Sequence, residues 1–470
     1  MLDSELLLVA LLACLSVMVL TSVWKQRSLQ GKLPPGPTPL PFIRNFLQLE
    51  KNKIYSSFMK VTPGPVFTIH LGTFWVVVCG YEAVKEVLVD QAEEFNGRGQ
   101  QATFDCLFKG YGVAFSNRER TKQLKRFCLH VLRELGMGKR GTEHRIQQEA
   151  DFLIEALGST RSTFIDRTFH LSKMVANIMR SIVFGDRSDY DDKEFLSLLW
   201  MMGETLNFAA SPMGQVSEIF HAVMKHLPGP QQQAFKNMQR LEEFTAKRVE
   251  QNQCTQLPIN SLRIILTEFY KKNLVLAVLD FFTSVSQSSS RTTLFRLILF
   301  VKHPDVEGKT GGDQEVHEET ESMPYTQAVI HEIQRFTNVG PWPWLTGSPR
   351  TPDFGIPSFP RCWPGTDVIR MLCSLLSDPR FFSTPDDFNP QHFLDDKGLK
   401  KIDAHLPFSM GKQSCLGEGL ATMEALSLPH HHHAELLLQA FPRAPGHKVV
   451  PKPQGSVRVP PNFTMSFLPR

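Results

Sequence analysis

Cysteine is scarce and scattered in this chain of 470 residues: eight thiols at positions 14, 79, 106, 128, 254, 362, 373 and 415. No two stand in C-x-x-C spacing, which argues against a zinc site. So few thiols in so long a chain point to a reducing compartment and to buried, inert side chains. A surplus of charge is missing too: the balance of 51 basic and 47 acidic residues is +4. That excludes a nucleic-acid partner recognised by bulk charge, and leaves only local basic clusters to consider. There is no internal repeat and no second shift in composition to mark a boundary inside the body. With 42% hydrophobic and 21% charged residues, the composition is globular and long enough for a large core.

One long apolar run is present. Residues 6–24 (LLLVALLACLSVMVLTSVW) carry no charge, and as a helix they match the thickness of a bilayer core. Asp3 and Glu5 precede the run, and Lys25 and Arg27 follow it, so the positive-inside rule places the body on the cytosolic side. A cleaved signal peptide is the competing reading; the length and the lack of a small-residue cleavage site weigh against it. GKLPPGPTPLP (31–41) follows. Its prolines predict a stiff, extended spacer. The expected organisation is an anchor at 1–27, a proline-rich hinge at 28–41 and a body at 42–470.

Within the body, PVFTIHLGTFWVVVC (65–79) is rich in β-branched and aromatic residues and reads as strands. From about 81 to 300 apolar residues recur near the helical period, as in 81–95, 144–158 and 193–208. After 337 the sequence turns irregular and proline-rich. The expected class is mainly α with a small β portion near the N-terminus.

Two stretches carry chemistry. FSMGKQSCLGEG (408–419) sets Cys415 in a glycine-rich loop, with Phe408, Gly411 and Gly417 around it and helix-forming sequence behind. YTQAVIHEIQRF (325–336) puts Glu332 and Arg335 three apart, on one helix face. A surface ion pair is the plain reading of the second; together the two stretches say more. F-x-x-G-x-x-x-C-x-G before a helix, with E-x-x-R upstream, resembles the cytochrome P-450 fold. FNGRG (95–99), KHPDVE (302–307), DFNPQHF (387–393) and the terminal MSFLPR are similar to vertebrate microsomal family 2 members, above all the A subfamily, which oxidises small flat compounds such as coumarin and nicotine.

The resemblance implies haem b with Cys415 as its axial thiolate. Gly411 and Gly417 would then allow tight turns that point sulfur at iron, and backbone N–H groups with the following helix terminus would favour the anion. Electron density from the thiolate favours O–O cleavage. His392 falls where relatives complete the Glu332–Arg335 clamp. The resemblance further implies an endoplasmic-reticulum membrane protein with its catalytic domain in the cytosol. Its partners would be NADPH–cytochrome P-450 reductase and cytochrome b5, docking on the basic segment 118–127 with Arg133, Lys139, Arg140 and Arg145. A small lipophilic substrate would bind near Phe104, Phe108, Phe115 and Phe208. For any single phenylalanine, core packing is the plain alternative.

Several positions depart from the family. Gln413 stands where an arginine bonds a haem propionate. The W-x-x-x-R motif appears as Thr121 and Lys125, which keeps a charge but no guanidinium fork. Arg350 is displaced from a third propionate site. The distal-helix motif reads Ser284-Val285-Ser286-Gln287-Ser288. Val285 fills space that glycine leaves open. Gln287 cannot act as an acid, and Ser288 keeps a hydroxyl for oxygen. Residues 258–276 and 307–325 look shortened, and Pro429 interrupts the helix behind the cysteine. The histidines 430–433 point in different directions on a helix, so a metal site there is not expected. The leading expectation is a haem-thiolate monooxygenase of xenobiotic type. The rivals are a degenerate, non-catalytic paralogue and a haem-thiolate isomerase or peroxide-driven enzyme.

Overall fold

The structure, a computed structural model, describes residues 64–71, 73–99, 101–137, 140–159, 167–254, 268–316, 323–339, 346–347 and 367–440, three later strand pieces and a few residues before 64. Among these residues no helix is long and apolar enough to cross a membrane; the apolar run 6–24 lies almost wholly outside them. The chain forms two compact units, residues 1–100 with 343–371, and residues 101–342 with 372–470.

The first unit is built on a four-stranded sheet of β1 (Val66–Leu71), β2 (Thr73–Val78), β3 (Thr346–Gly347) and β4 (Asp367–Arg370), in the order β1-β2-β4-β3. β1 and β2 are antiparallel, with Ile69 opposite Trp75, and β2 runs parallel to β4. Val66, Phe67, Ile69, Val76, Val77 and Val78 are all buried, as expected where β-branched and aromatic side chains pack a pleated surface. The proline-rich hinge is tied to this sheet: the Thr68 N–H donates to Pro35 O at 3.0 Å. Gly36 has no alternative there, because a Cβ would lie 2.0 Å from Thr68 O. The helix expected over 81–95 ends at Asp90. Its last turn widens, with Gln91 N–H reaching back five residues to Glu86 O at 2.7 Å, and the chain leaves helical geometry at Gln91.

The second unit is helical: α1 (Ala102–Phe108), α2 (Arg118–Glu134), α3 (Arg140–Ser159), α4 (Arg167–Val183), α5 (Lys193–Ala210), α6 (Pro212–Ile219), α7 (Pro230–Cys254), α8 (Glu268–Lys302), α9 (Pro304–Val316), α10 (Pro324–Thr337) and α11 (Glu418–Glu435). Local sequence sets the ends. Asp192 caps α5, its carboxylate accepting from the N–H groups of Glu194 and Phe195, a type of cap worth ~1 kcal/mol. Pro324 opens α10, and Asn338, left-handed at φ 38°, closes it. α5 buries Phe195, Leu198, Leu199 and Met202, the i, i+3, i+4, i+7 face of an amphipathic helix. α8 buries Leu276, Leu279, Phe282, Phe295, Ile298 and Leu299 and is the central helix of the unit. α11 runs through Pro429 without ending there.

Candidate functional site

The candidate site lies in the helical unit, where the Cys415 loop meets α8. The loop is closed by the Cys415 N–H, which donates to Phe408 O at 2.9 Å. Ser414 N–H closes the turn on Gly411 O at 3.1 Å. Gly411 sits at φ 61°, a conformation that favours glycine. Gly417 does not share that reason: it has no left-handed φ, and a Cβ there would make ordinary contacts, 3.6 Å from Val285 Cγ2 and 3.8 Å from Cys415 Sγ. Gly417 nevertheless lies in the turn formed with Leu416 that leads into the helix at Glu418. Gly417 leaves open the space between Val285 and the sulfur.

Cys415 reaches solvent, yet protein crowds it on most sides. Burial pushes its thiol up; the N–H groups of Gly417 and Glu418 and the charge of Lys125 pull it down, and Glu418 opposes them. Cys128 has no comparable donors, and burial pushes it up to about 12. Cys415 has two amides at a helix start pointing toward the sulfur, the arrangement that suits a thiolate.

Lys125, which the resemblance to the family sets near a propionate, donates its ammonium to Lys412 O at 2.7 Å and Ser414 O at 3.2 Å. Thr121, the other half of that motif, is buried and bonded to Ser116. Gln413 lies between the two carbonyls that Lys125 holds, and its Oε1 is buried without a hydrogen-bond partner. Arg350 lies outside the described residues.

On α8, Ser284 and Ser288 are exposed one turn apart, while Val285 and Ser286 are buried. Ser288 Oγ donates to Ser284 O at 2.7 Å. Its proton is thereby held within the helix, and its lone pairs stay available as acceptors. Gln287 is half-buried beside it and offers an amide with no titratable proton.

The clamp on α10 is fully assembled. Glu332 and Arg335 are 0% and 2% exposed, a burial that stabilises only if every donor is met. Arg335 Nε and Nη2 each reach a Glu332 oxygen at 2.7 Å. Nη1 serves Leu376 O and Pro385 O, and Nη2 also serves Asp387 O. All five guanidinium protons are accounted for. His392 Nε2 accepts from Thr384 N–H at 3.2 Å, so its proton sits on Nδ1, which donates to Glu332 Oε2 at 3.2 Å. The clamp ties α10 to the 376–392 segment that leads into the cysteine loop.

Phe115 stacks on Phe108, with ring centroids 4.2 Å apart, and on Phe104 at 5.3 Å. The structure adds a residue that sequence reading passed over. Asp280 on α8 is buried, and its Oδ2 accepts from Val113 N–H at 2.8 Å and Ala114 N–H at 3.0 Å. It fastens the loop that carries Phe115 to the central helix. A lone acid inside LVLAVLDFF (274–282) was the available signal.

The family model for cytochrome P450 matches residues 34–465. The chain is similar to cytochrome P450 2A3 of Rattus norvegicus, 54% identical over 501 residues. It is also similar to cytochrome P450 2A13 of Homo sapiens, 54% identical over 505 residues, and to cytochrome P450 2A6 of Homo sapiens, 52% identical over 500 residues. In each case all of this chain and all of the relative are covered. A cysteine loop of this geometry, a satisfied E-x-x-R clamp and full-length identity above one half converge: the chain belongs to the cytochrome P450 family of haem-thiolate monooxygenases, within vertebrate family 2, subfamily A.

Proposed function

We propose that this chain oxidises small lipophilic compounds, inserting one atom of O₂ with NADPH-derived electrons delivered by a flavin-containing reductase, from the cytosolic face of the endoplasmic-reticulum membrane. The observation that carries the reading is Cys415: a solvent-reaching sulfur with two amide N–H groups pointing at it, in a loop that packs beside a central helix. That donor set fits a ferric or ferrous haem at the sulfur. Bound haem supplies oxygen binding and activation, driven by electron density from the thiolate.

The chain's own residues do the rest. Cys415 would hold the iron through its thiolate. Ser288 presents hydroxyl lone pairs from the exposed face of α8. Gln287 holds no acidic proton, so protons reach this face through solvent. The Phe104–Phe115–Phe108 stack supplies flat apolar surface for a flat apolar substrate. On α2 and the cysteine loop, Lys122, Arg126, Arg133 and Lys412 are exposed. This basic face suits an acidic redox partner, the reductase or cytochrome b5.

The test is the carbon-monoxide difference spectrum of the reduced, membrane-expressed protein, followed by turnover of coumarin-like compounds with NADPH and reductase. A strongly red-shifted Soret band, lost in Cys415→Ser, is expected. No haem, or only the blue-shifted form, would overturn the reading. Turnover with peroxide alone would replace it by peroxide-driven chemistry.

A further inference from the structure

Lys125 and the cysteine loop are 287 residues apart in sequence, yet Lys125 Nζ lies 2.7 Å from Lys412 O. A second bond, 3.2 Å long, goes to Ser414 O, the carbonyl immediately before Cys415. The Lys125 side chain is half-buried as a whole, and both bonds are charge-assisted, the stronger kind of hydrogen bond. An ammonium has three donors. With two given to the loop, at most one remains, and no bidentate grip on a carboxylate is possible. The two carbonyls flank Gln413, whose Oε1 finds no partner, so that residue does not hold the turn from its own side chain oxygen. From the opposite side the turn is held by the Cys415 N–H to Phe408 O bond.

We propose that Lys125 is a positioning residue for the Cys415 sulfur: its ammonium fixes the Lys412 and Ser414 carbonyls, and so sets both the orientation and the electrostatic surroundings of the thiolate. This rests on the reading of Cys415 as the haem ligand. The charge of Lys125 acts on that sulfur in the same sense as the amides of Gly417 and Glu418.

The test uses the full-length wild-type protein, Lys125→Met and Lys125→Arg, each loaded with haem in membranes. Three readings are taken: the rate at which the ferrous–carbon-monoxide complex passes from the red-shifted to the blue-shifted band, the midpoint potential, and the rate of haem transfer to apomyoglobin. In Lys125→Met the band converts about tenfold faster, the size expected for loss of one charge-assisted hydrogen bond. The potential falls, because a cation near the thiolate favours the reduced state. The haem-transfer rate stays at the wild-type value. Lys125→Arg restores the band and the potential. If Lys125→Met does not accumulate, Lys125→Gln, uncharged but still a donor, is read by the same criteria. Faster haem transfer with an unchanged band and potential would make Lys125 a propionate anchor and overturn the proposal, as would no change at all. A wild-type protein with no red-shifted band would overturn the Cys415 reading and this one together, so the two failures are distinguishable.

Discussion

Replacing Glu424 by glutamine probes a carboxyl group that the packing leaves without a hydrogen bond. Glu424 lies on α11, 2% exposed, and neither of its oxygens has a partner. Burial pushes it from an ordinary 4.5 up to about 8; Ser289 on α8 is close enough to pull the other way but does not form a hydrogen bond of good geometry. Arg296 on α8 directs Nη1 to the neighbouring carbonyl, Ala425 O, at 3.0 Å, and burial lowers it to about 9. A raised carboxyl means that the folded protein keeps a proton which the unfolded chain releases. Below about pH 4.5 the two states agree and the group costs nothing. As pH rises from there, the unfolded chain ionises first, and stability falls by about 1.4 kcal/mol per pH unit until the folded group also ionises near pH 8. Between pH 5 and pH 7 the loss is therefore ~3 kcal/mol. Glu424→Gln has the same shape and does not titrate. Its thermal unfolding, followed by scanning fluorimetry of the haem-loaded full chain, should lose less stability than the wild type across that interval. The gap between the two should widen steadily with pH. Parallel curves from pH 5 to pH 8 would refute the reasoning and show that Glu424 ionises in the folded protein with solvent access.

Arg335→Lys keeps the charge but removes the fork. It should cost ~3–5 kcal/mol, the range for breaking a buried pair, seen as loss of soluble, haem-loaded protein on expression; near-normal yield would show that the clamp is dispensable. Gln287→Glu restores an acid beside Ser288 and should raise product formed per NADPH consumed by roughly tenfold, a conservative share of a general-acid contribution; an unchanged ratio would place the proton source elsewhere. Gln413→Arg puts donors where a buried Oε1 now lacks a partner, and should slow haem transfer to apomyoglobin about tenfold, the effect of one charge-assisted bond. Asp280→Ala frees the Val113 and Ala114 amides and should make the 110–116 loop exchange amide hydrogen faster, with the rest of α8 unaffected.

Local chemistry was the legible part. Helices with regular apolar spacing, such as Lys193–Ala210, show their buried face in the sequence, because the 3.6-residue period survives any tertiary context. The strands at 66–78 are equally plain, since runs of valine, isoleucine and phenylalanine fit little else. Boundaries were less so. The helix beginning at Tyr81 stops at Asp90, because a widened turn ends it, and no residue in 91–95 announces that. The hinge reads as a stiff, extended spacer in sequence, but only the structure shows Gly36 seated against Thr68.

At the site, Cys415, Glu332 and Arg335 were found because each motif is compact: few residue types can hold iron by sulfur from a loop, or close a buried guanidinium from one turn away. The E-x-x-R spacing alone predicts that the pair shares a helix face. The sequence could also show which family chemistry is lost, at Gln287 and Gln413, since an amide cannot replace an acid or a cation. What it could not show is where a flexible side chain ends. Lys125 carries four methylenes, and its bonds to Lys412 O and Ser414 O depend on two segments meeting across 287 residues. The partnerless burial of Glu424 and the fastening of the Phe115 loop by Asp280 depend likewise on which helices pack together. Residue type and spacing determine what a side chain can do; only the packed fold brings the distant carbonyl, amide or apolar wall that decides which of those things it does.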